Sequence, residues 1–383
     1  MINESLARFS NYAIYGAMFV YLIAFFAYTA EWVFGRKSSF VVTAAEQSAA
    51  GKTAAGKSAG AQAAATVPAQ AEALVAAGGQ GAGGGQGGDA KPVTVPDDLS
   101  GLDELDDLAD LDDLPDLDEP DPVIDGGNLR AITAGGIAVS TTVLAFLLHV
   151  VGVACRGLAA HRVPWGNLYE FTIAGSAVAM AIYVGLLFRK NARWLGVFVT
   201  GFVVVILGLA VEVLYKDAEQ LVPALHSPWL VIHVAAAVLC SGAFTVATLA
   251  TVLYLFKSRY ETRAKLGTAS PGSMWRRVPS AMKLDLVAYR ILAFSFPIWT
   301  FTVIAGSIWA ERAWGRYWGW DPTETWAFIT WVVYAAYLHA RATRGWKGRN
   351  ASIVALVGYG CFIFNYFVVS IFVNGLHSYA NVK

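Results

Sequence analysis

Residues 314–321 of this 383-residue chain read WGRYWGWD, and PTETW follows directly. Trp314, Tyr317, Trp318 and Trp320 crowd four rings into eight positions, with Gly315 and Gly319 between them and Arg316 and Asp321 as charges. That much aromatic surface is costly to leave in water, and the charges keep the stretch out of hydrocarbon. Indole faces suit a flat apolar ring by stacking. Glycines let backbone approach such a ring closely, and a guanidinium can grip a carboxylate through paired hydrogen bonds. A planar macrocycle with carboxylates on one edge and a metal at its centre also needs axial nitrogen ligands. The chain has six histidines: His149, His161, His226, His233, His339 and His377. Histidine is a common axial ligand of haem iron. Haem is therefore one candidate for what the tryptophan stretch touches. The competing reading is an interfacial belt, where Trp and Tyr are ordinarily enriched.

The elements that must position these residues are apolar helices. The composition is 56% hydrophobic and 15% charged, with mean hydropathy +0.49, the balance of a membrane protein. A bilayer-spanning helix needs roughly 20 apolar residues. Eight segments meet this, at 12–34, 131–155, 168–188, 194–214, 229–256, 287–309, 323–343 and 351–373. The fold class expected is all-α: a polytopic membrane protein of about eight transmembrane helices, with a first helix at 1–37, an insert at 38–130 and a seven-helix domain at 131–383. The formal net charge of zero conceals an asymmetry. Residues 97–125 carry fourteen of the 28 acids and no Lys or Arg, so the rest of the chain is basic. Its basic linkers follow the first, third, fifth and seventh spans (Arg36 and Lys37; Arg189, Lys190 and Arg193; Lys257 to Lys283; Arg341 to Arg349). All fall on one side, which the positive-inside rule makes cytoplasmic. Both termini and the tryptophan stretch are then expected outside, in a multi-pass plasma-membrane protein, and the insert in the cytoplasm. The insert begins Ala/Gly-rich, like a flexible linker. It continues through leucines spaced by three among aspartates, a spacing that circles a helix without making a face, and is expected to be disordered. Cys155, Cys240 and Cys361 lie in or beside apolar segments without a CxxC pair and read as small hydrophobes. No P-loop is present, so ATP is not expected to be consumed here.

On this layout His233 lies just inside the outer end of the fifth span, and His377 just beyond the outer end of the eighth. Both share a membrane face with the tryptophan stretch. His339 lies about 24 Å below it on the seventh span, and an imidazole at that depth is a functional-site hypothesis by default. His161, His226, His149 and Glu170 are candidate second-sphere groups. For His149 and His161, structural roles in helix packing and in the loop are weighed first. Glu170 and Glu324 start spans where a carboxylate complements the helix dipole. Asp321 followed by Pro322 reads as a helix cap. Two other function classes compete: a b-type electron-transfer cytochrome and a transporter of another substrate.

WGRYWGWD resembles the WWD signature of haem-handling proteins in cytochrome c maturation. Its continuation PTETWAFITWVVYAAYLHAR, with HRVPWGNLYEF at 161–171, PALHSPWLVIHV at 223–234 and GLHSYA at 375–380, is similar to the CcsA family, also called ResC, of the system II pathway. The resemblance covers about 131–383. It implies movement of haem b, as cargo, to the outer face and its presentation to the CxxCH motif of apocytochrome c. A ResB-type membrane partner is implied, with thiol-reducing proteins as further partners and no nucleic acid. The chain would be the haem-presenting subunit of a holocytochrome c synthase complex. The family's external ligands map onto His233 and His377, its transmembrane ligand onto His339 and its platform onto 314–321. The opposing transmembrane ligand belongs to the partner. Thr323 stands where the family often has Lys, and His226 where it often has Gln.

Overall fold

The structure, a computed structural model, describes residues 2–62, 129–190, 192–219, 227–270, 273–343, 346 and 348–377. The acidic stretch at 97–125 and His226 lie outside the described residues. The chain divides into two units, residues 1–40 with 116–383, and residues 41–115. Among the described residues every regular element is helical: α1 (Glu4–Gln62), α2 (Leu129–Ala159), α3 (Leu168–Lys190), α4 (Gly196–Glu212), α5 (Pro228–Lys265), α6 (Ala281–Trp314), α7 (Pro322–Ala342) and α8 (Arg349–Ile363). α8 runs on through a π-helical turn, Phe364–Val369, to Phe372.

Seven of these helices are long and apolar enough to cross a membrane, α1 over Glu4–Gly35. The eighth expected span, α7, has 21 residues, about 31 Å of helix. It is not among the seven because Thr323, Glu324, Thr325, His339 and Arg341 dilute its ends. α1 continues past the expected end at residue 37 to Gln62. That extension is rich in alanine, the strongest helix former. α5 and α6 also outrun the apolar segments expected for them, to Lys265 and from Ala281.

Two cores form. One joins α1–α4 around Tyr21, Tyr28, Tyr169, Met180 and Tyr183. The other joins α5–α8 around Phe244, Trp299, Tyr334 and Phe362. With lipid outside, apolar contact alone gives little preference for helix over lipid, so small residues and polar links hold such bundles. Ser10 Oγ donates to the Gly152 carbonyl (2.6 Å), and Tyr183 donates to Tyr28 (2.8 Å). Gly152 matters because a Cβ there would meet Ile14 at 2.7 Å. His149 is fully buried between α1 and α2, with Nδ1 3.5 Å from the Tyr21 hydroxyl and the two rings edge-on.

The α2–α3 loop is fixed by a buried ion cluster. Glu170 is fully buried and takes Arg156 Nε at 3.1 Å and Arg162 Nη1 at 2.6 Å. Its second oxygen also accepts the Gly166 N–H (2.8 Å), while Asn167 Oδ1 accepts the Glu170 N–H (2.8 Å). Arg156 and Arg162 reach on to the carbonyls of Lys216 and Glu219 beyond α4. One carboxylate thus sets the course of Trp165, Gly166 and Asn167. Glu170→Ala strands two arginines, one of them wholly buried, and breaking a buried ion pair from one side costs about 3–5 kcal/mol. We expect a markedly lower unfolding temperature for that variant in detergent, measured against Glu219→Ala, whose side chain is outside the cluster.

Candidate functional site

At the end of the bundle where α6 gives way to α7, a cavity of about 210 Å³ opens between α5, α6, the start of α7, the π turn of α8 and the α2–α3 loop. Its walls are aromatic: Trp165, Trp299, Trp309, Trp314, Trp318 and Tyr366 among others, with His233 and His377 on the same cavity.

The tryptophan stretch takes its shape from two carboxylates. α6 ends at Trp314, and Gly315 is the left-handed cap (φ 72°) whose N–H returns to Glu311 O. A left-handed cap is favourable for glycine, which has no Cβ to clash. Asp321 and Glu324 then form a capping box at the start of α7, with Pro322 in the first turn, as the sequence predicts. Glu324 does more than cap: its Oε2 accepts the N–H groups of Gly319 (3.0 Å) and Asp321 (3.1 Å), and Arg316 Nη1 lies 3.4 Å from Oε1. The Arg316 guanidinium lies where a Gly319 Cβ would project. Arg316, expected to serve a cargo carboxylate, is thus engaged inside the loop. Trp320 is held at φ 57°, a region bulky residues rarely occupy, with its indole 67% exposed.

Asp321 also reaches across to the chain end. Its Oδ1 accepts the Leu376 N–H (2.6 Å), and His377 Nδ1 lies 2.8 Å from its Oδ2. Gly375 makes the approach fit, since a Cβ there would fall 2.6 Å from Asp321 Oδ1. Burial pushes the Asp321 carboxyl pKa up, but the hydrogen bonds from His377, Leu376 and Thr323 outweigh it and hold the carboxyl below its usual range. A depressed carboxyl stays ionised through neutral pH and loses its contacts only as pH falls through the lowered value. An ionised Asp321 can only accept, so Nδ1 of His377 carries the proton and Nε2 is the basic nitrogen.

His233 is set in the same way by different means. Its Nδ1 is 2.8 Å from the Thr302 carbonyl of α6. A carbonyl can only accept, so Nδ1 again carries the proton and Nε2 the lone pair. Within α6 that carbonyl faces the N–H of Gly306. Gly306 leaves it open to a second donor, because a Cβ there would sit 2.6 Å from His233 Cε1. Trp309, almost fully buried, binds the pair together. Its ring is nearly parallel to His233 at 6.1 Å and edge-on to His377 at 5.9 Å, while Trp314 meets His377 at 5.1 Å. Two imidazoles thus line one cavity, each oriented through Nδ1, and a hydrogen bond at one ring nitrogen is how proteins orient a histidine that acts through the other.

The model of the cytochrome C assembly protein family matches residues 137–377. The chain belongs to that family. Its relatives include the cytochrome c biogenesis protein CcsA of Synechococcus elongatus, 35% identical over 292 residues that cover 66% of this chain and 88% of the relative. CcsA of Gloeobacter violaceus is 34% identical over 281 residues (61% and 83%), and CcsA of Trieres chinensis 33% over 277 residues (66% and 87%). The resemblance to CcsA read from the motifs therefore holds, and the chain has a role in cytochrome c biogenesis.

Among the family residues picked out in the sequence, His233, His377, Trp314, Tyr317 and Trp318 line the cavity together, and Asp321 acts on it through His377. Trp320 turns to the surface. His339 is not on the cavity. It lies near the far end of α7, about 27 Å along the helix from Asp321, with an exposed side chain. His161 is an exposed loop residue at φ 51° and His149 a packing residue, and neither lines the cavity. Glu170 acts on the site only through the loop it holds. Trp309, Thr302, Gly306, Asn365 and Tyr366 are site residues that the sequence reading missed. Asn365 and Tyr366 lie in the π turn, with Nδ2 on Thr323 O (3.2 Å) and the hydroxyl on Leu168 O (2.9 Å). The WAERAW spacing was the available signal for Trp309, five residues before Trp314. Gly306→Ala should displace His233 and lower covalent c-type cytochrome by about tenfold, the scale of lost ligand-orienting contacts. Gly360→Ala, with open space at its Cβ, should leave it unchanged. Haem staining of membranes measures both.

Proposed function

We propose that this chain holds haem b as cargo between His233 and His377 and presents it, on the outer side of the plasma membrane, for covalent attachment to the CxxCH motif of apocytochrome c. The observation that carries the reading is the pair of Nδ1-anchored imidazoles on one tryptophan-walled cavity. Stacking on the indoles would seat the macrocycle, and axial nitrogens would hold the iron. The bond-forming chemistry belongs to the haem vinyl groups and the cysteine thiols: each thioether adds sulfur and hydrogen across one vinyl double bond. The chain supplies position and orientation.

The basic linkers on the side opposite the tryptophan loop support an outward-facing site, with both termini outside and the acidic insert in the cytoplasm. His339 supports a second, inner station. Its imidazole is exposed near the end of α7, the helix expected from the sequence as the seventh span, and a polar side chain facing lipid is costly. A partner of ResB type, bringing the opposing ligand, would cover it. The chain then acts as the haem-presenting subunit of a synthase complex.

Purified with its partner, the protein should carry haem whose absorption spectrum changes in His233→Gly and in His377→Gly and recovers with added imidazole. Unchanged haem content and spectrum in both variants, with no response to imidazole, would overturn the outer site.

A further inference from the structure

The cavity that would hold the cargo is closed towards the far end of the bundle. Trp299 and Phe362 line it and are themselves buried. Beneath them Phe244 stacks on Tyr334 at 4.4 Å and meets Trp299 at 5.7 Å and Phe362 at 5.8 Å. Phe244 is fully buried and Tyr334 nearly so. Four interlocked rings leave no passage for a macrocycle down the core of α5–α8, and close-packed interiors do not open by small shifts.

The surface of α7 is different. Phe328, Val332, Ala335 and His339 recur at helical spacing, so they form one line along the helix. Phe328 and Val332 are 40% and 44% exposed, and His339 is exposed below them. Above Phe328 the line meets the loop: Trp318 and Trp320 lie 6.4 and 6.5 Å from the Phe328 ring and 5.8 Å from each other. Beside it, Trp331 is parallel to Phe328 within 9° at 5.9 Å and stacks on Phe296 of α6 at 5.6 Å. The Trp331 indole N–H donates to Thr300 Oγ1 (2.8 Å), which fixes that ring on α6 and removes a bare donor from the apolar face. Trp318 also lines the cavity. The ring ladder and the cavity thus share a wall.

We propose that haem passes from the His339 station to the His233–His377 site along this outward face of α7, sliding against the Trp331–Phe328–Trp318 ladder, and not through the bundle. The inference rests on the two-station reading above. A flat apolar macrocycle can move along stacked and edge-on rings without meeting an uncompensated polar group, and Trp318 hands it into the cavity. A bulky side chain at Ala335, between His339 and the ladder and two turns clear of the cavity, should block that passage without touching either set of ligands.

The test uses complexes purified through a tag on the partner and a co-expressed apocytochrome. Ala335→Trp should retain the haem that His339→Ala loses, yet clearly lower covalent haem on the apocytochrome. Haem supplied to the outer face of spheroplasts should restore attachment. Phe244→Leu, which loosens the cavity floor, should leave delivery unchanged. If Ala335→Trp delivers haem at the parental level, or Phe244→Leu raises delivery, the lateral route is wrong and the two-station reading stands. If His339→Ala loses no haem, the two-station reading fails and takes the route with it.

Discussion

The carboxylate of Asp321 ties the end of the tryptophan loop and the start of α7 to a turn 55 residues further along the chain. One oxygen receives the Leu376 N–H, the other lies within hydrogen-bonding distance of both Thr323 N and His377 Nδ1. It therefore starts α7, ends the tryptophan loop and holds the turn after α8 against both. A carboxylate that accepts several donors in a poorly hydrated place stays ionised, because each donor favours the charged form. That charge in turn dictates which nitrogen of His377 bears the proton. Remove it, and the helix start and the orientation of one cavity imidazole are lost together.

The same device recurs around the cavity. Glu324 gathers the backbone of Gly319 and Asp321, and Glu170 gathers Gly166 with two arginines. Each carboxylate sits in the first turn of a helix, where the dipole and unpaired N–H groups favour a negative charge. Each ties down the loop that precedes its helix. Trp165, Trp314 and Trp318 can therefore line one space although they come from loops and a helix end. Loops that line a cavity in a membrane protein must satisfy their backbone groups locally, and these carboxylates do so.

The two ends of α7 meet different demands. At the loop end, imidazoles are enclosed and anchored by hydrogen bonds. At the other end His339 is presented outward, in line with exposed apolar side chains. A bundle packed this tightly in its aromatic core separates the ends physically. The outward face of α7, with Phe328, Val332 and His339 exposed along it, runs between them.

Much of this was legible in the sequence. Apolar runs of bilayer length located the helices, since the hydrocarbon thickness sets their length whatever their neighbours. The Asp321-Pro322 start of α7 is a local signal and was read correctly, as was the grouping of His233 and His377 with the tryptophans at one end. Local pattern failed where distant segments decide. Arg316 was considered as a grip for a cargo carboxylate, and the contact of its Nη1 with Glu324, eight residues on, could not be read from local pattern. Gly306 and Thr302 looked like ordinary helix residues, and only the packing of α5 on α6 puts an imidazole against them. Asp321 was read as a cap, and its hold on His377 needed the return of the chain from α8, 56 residues later. Residue types and helix lengths follow from the sequence because they reflect solvent and local hydrogen bonding. Which nitrogen is protonated, which cavity is closed and which histidine faces outward depend on contacts between helices, and only the tertiary structure decides those.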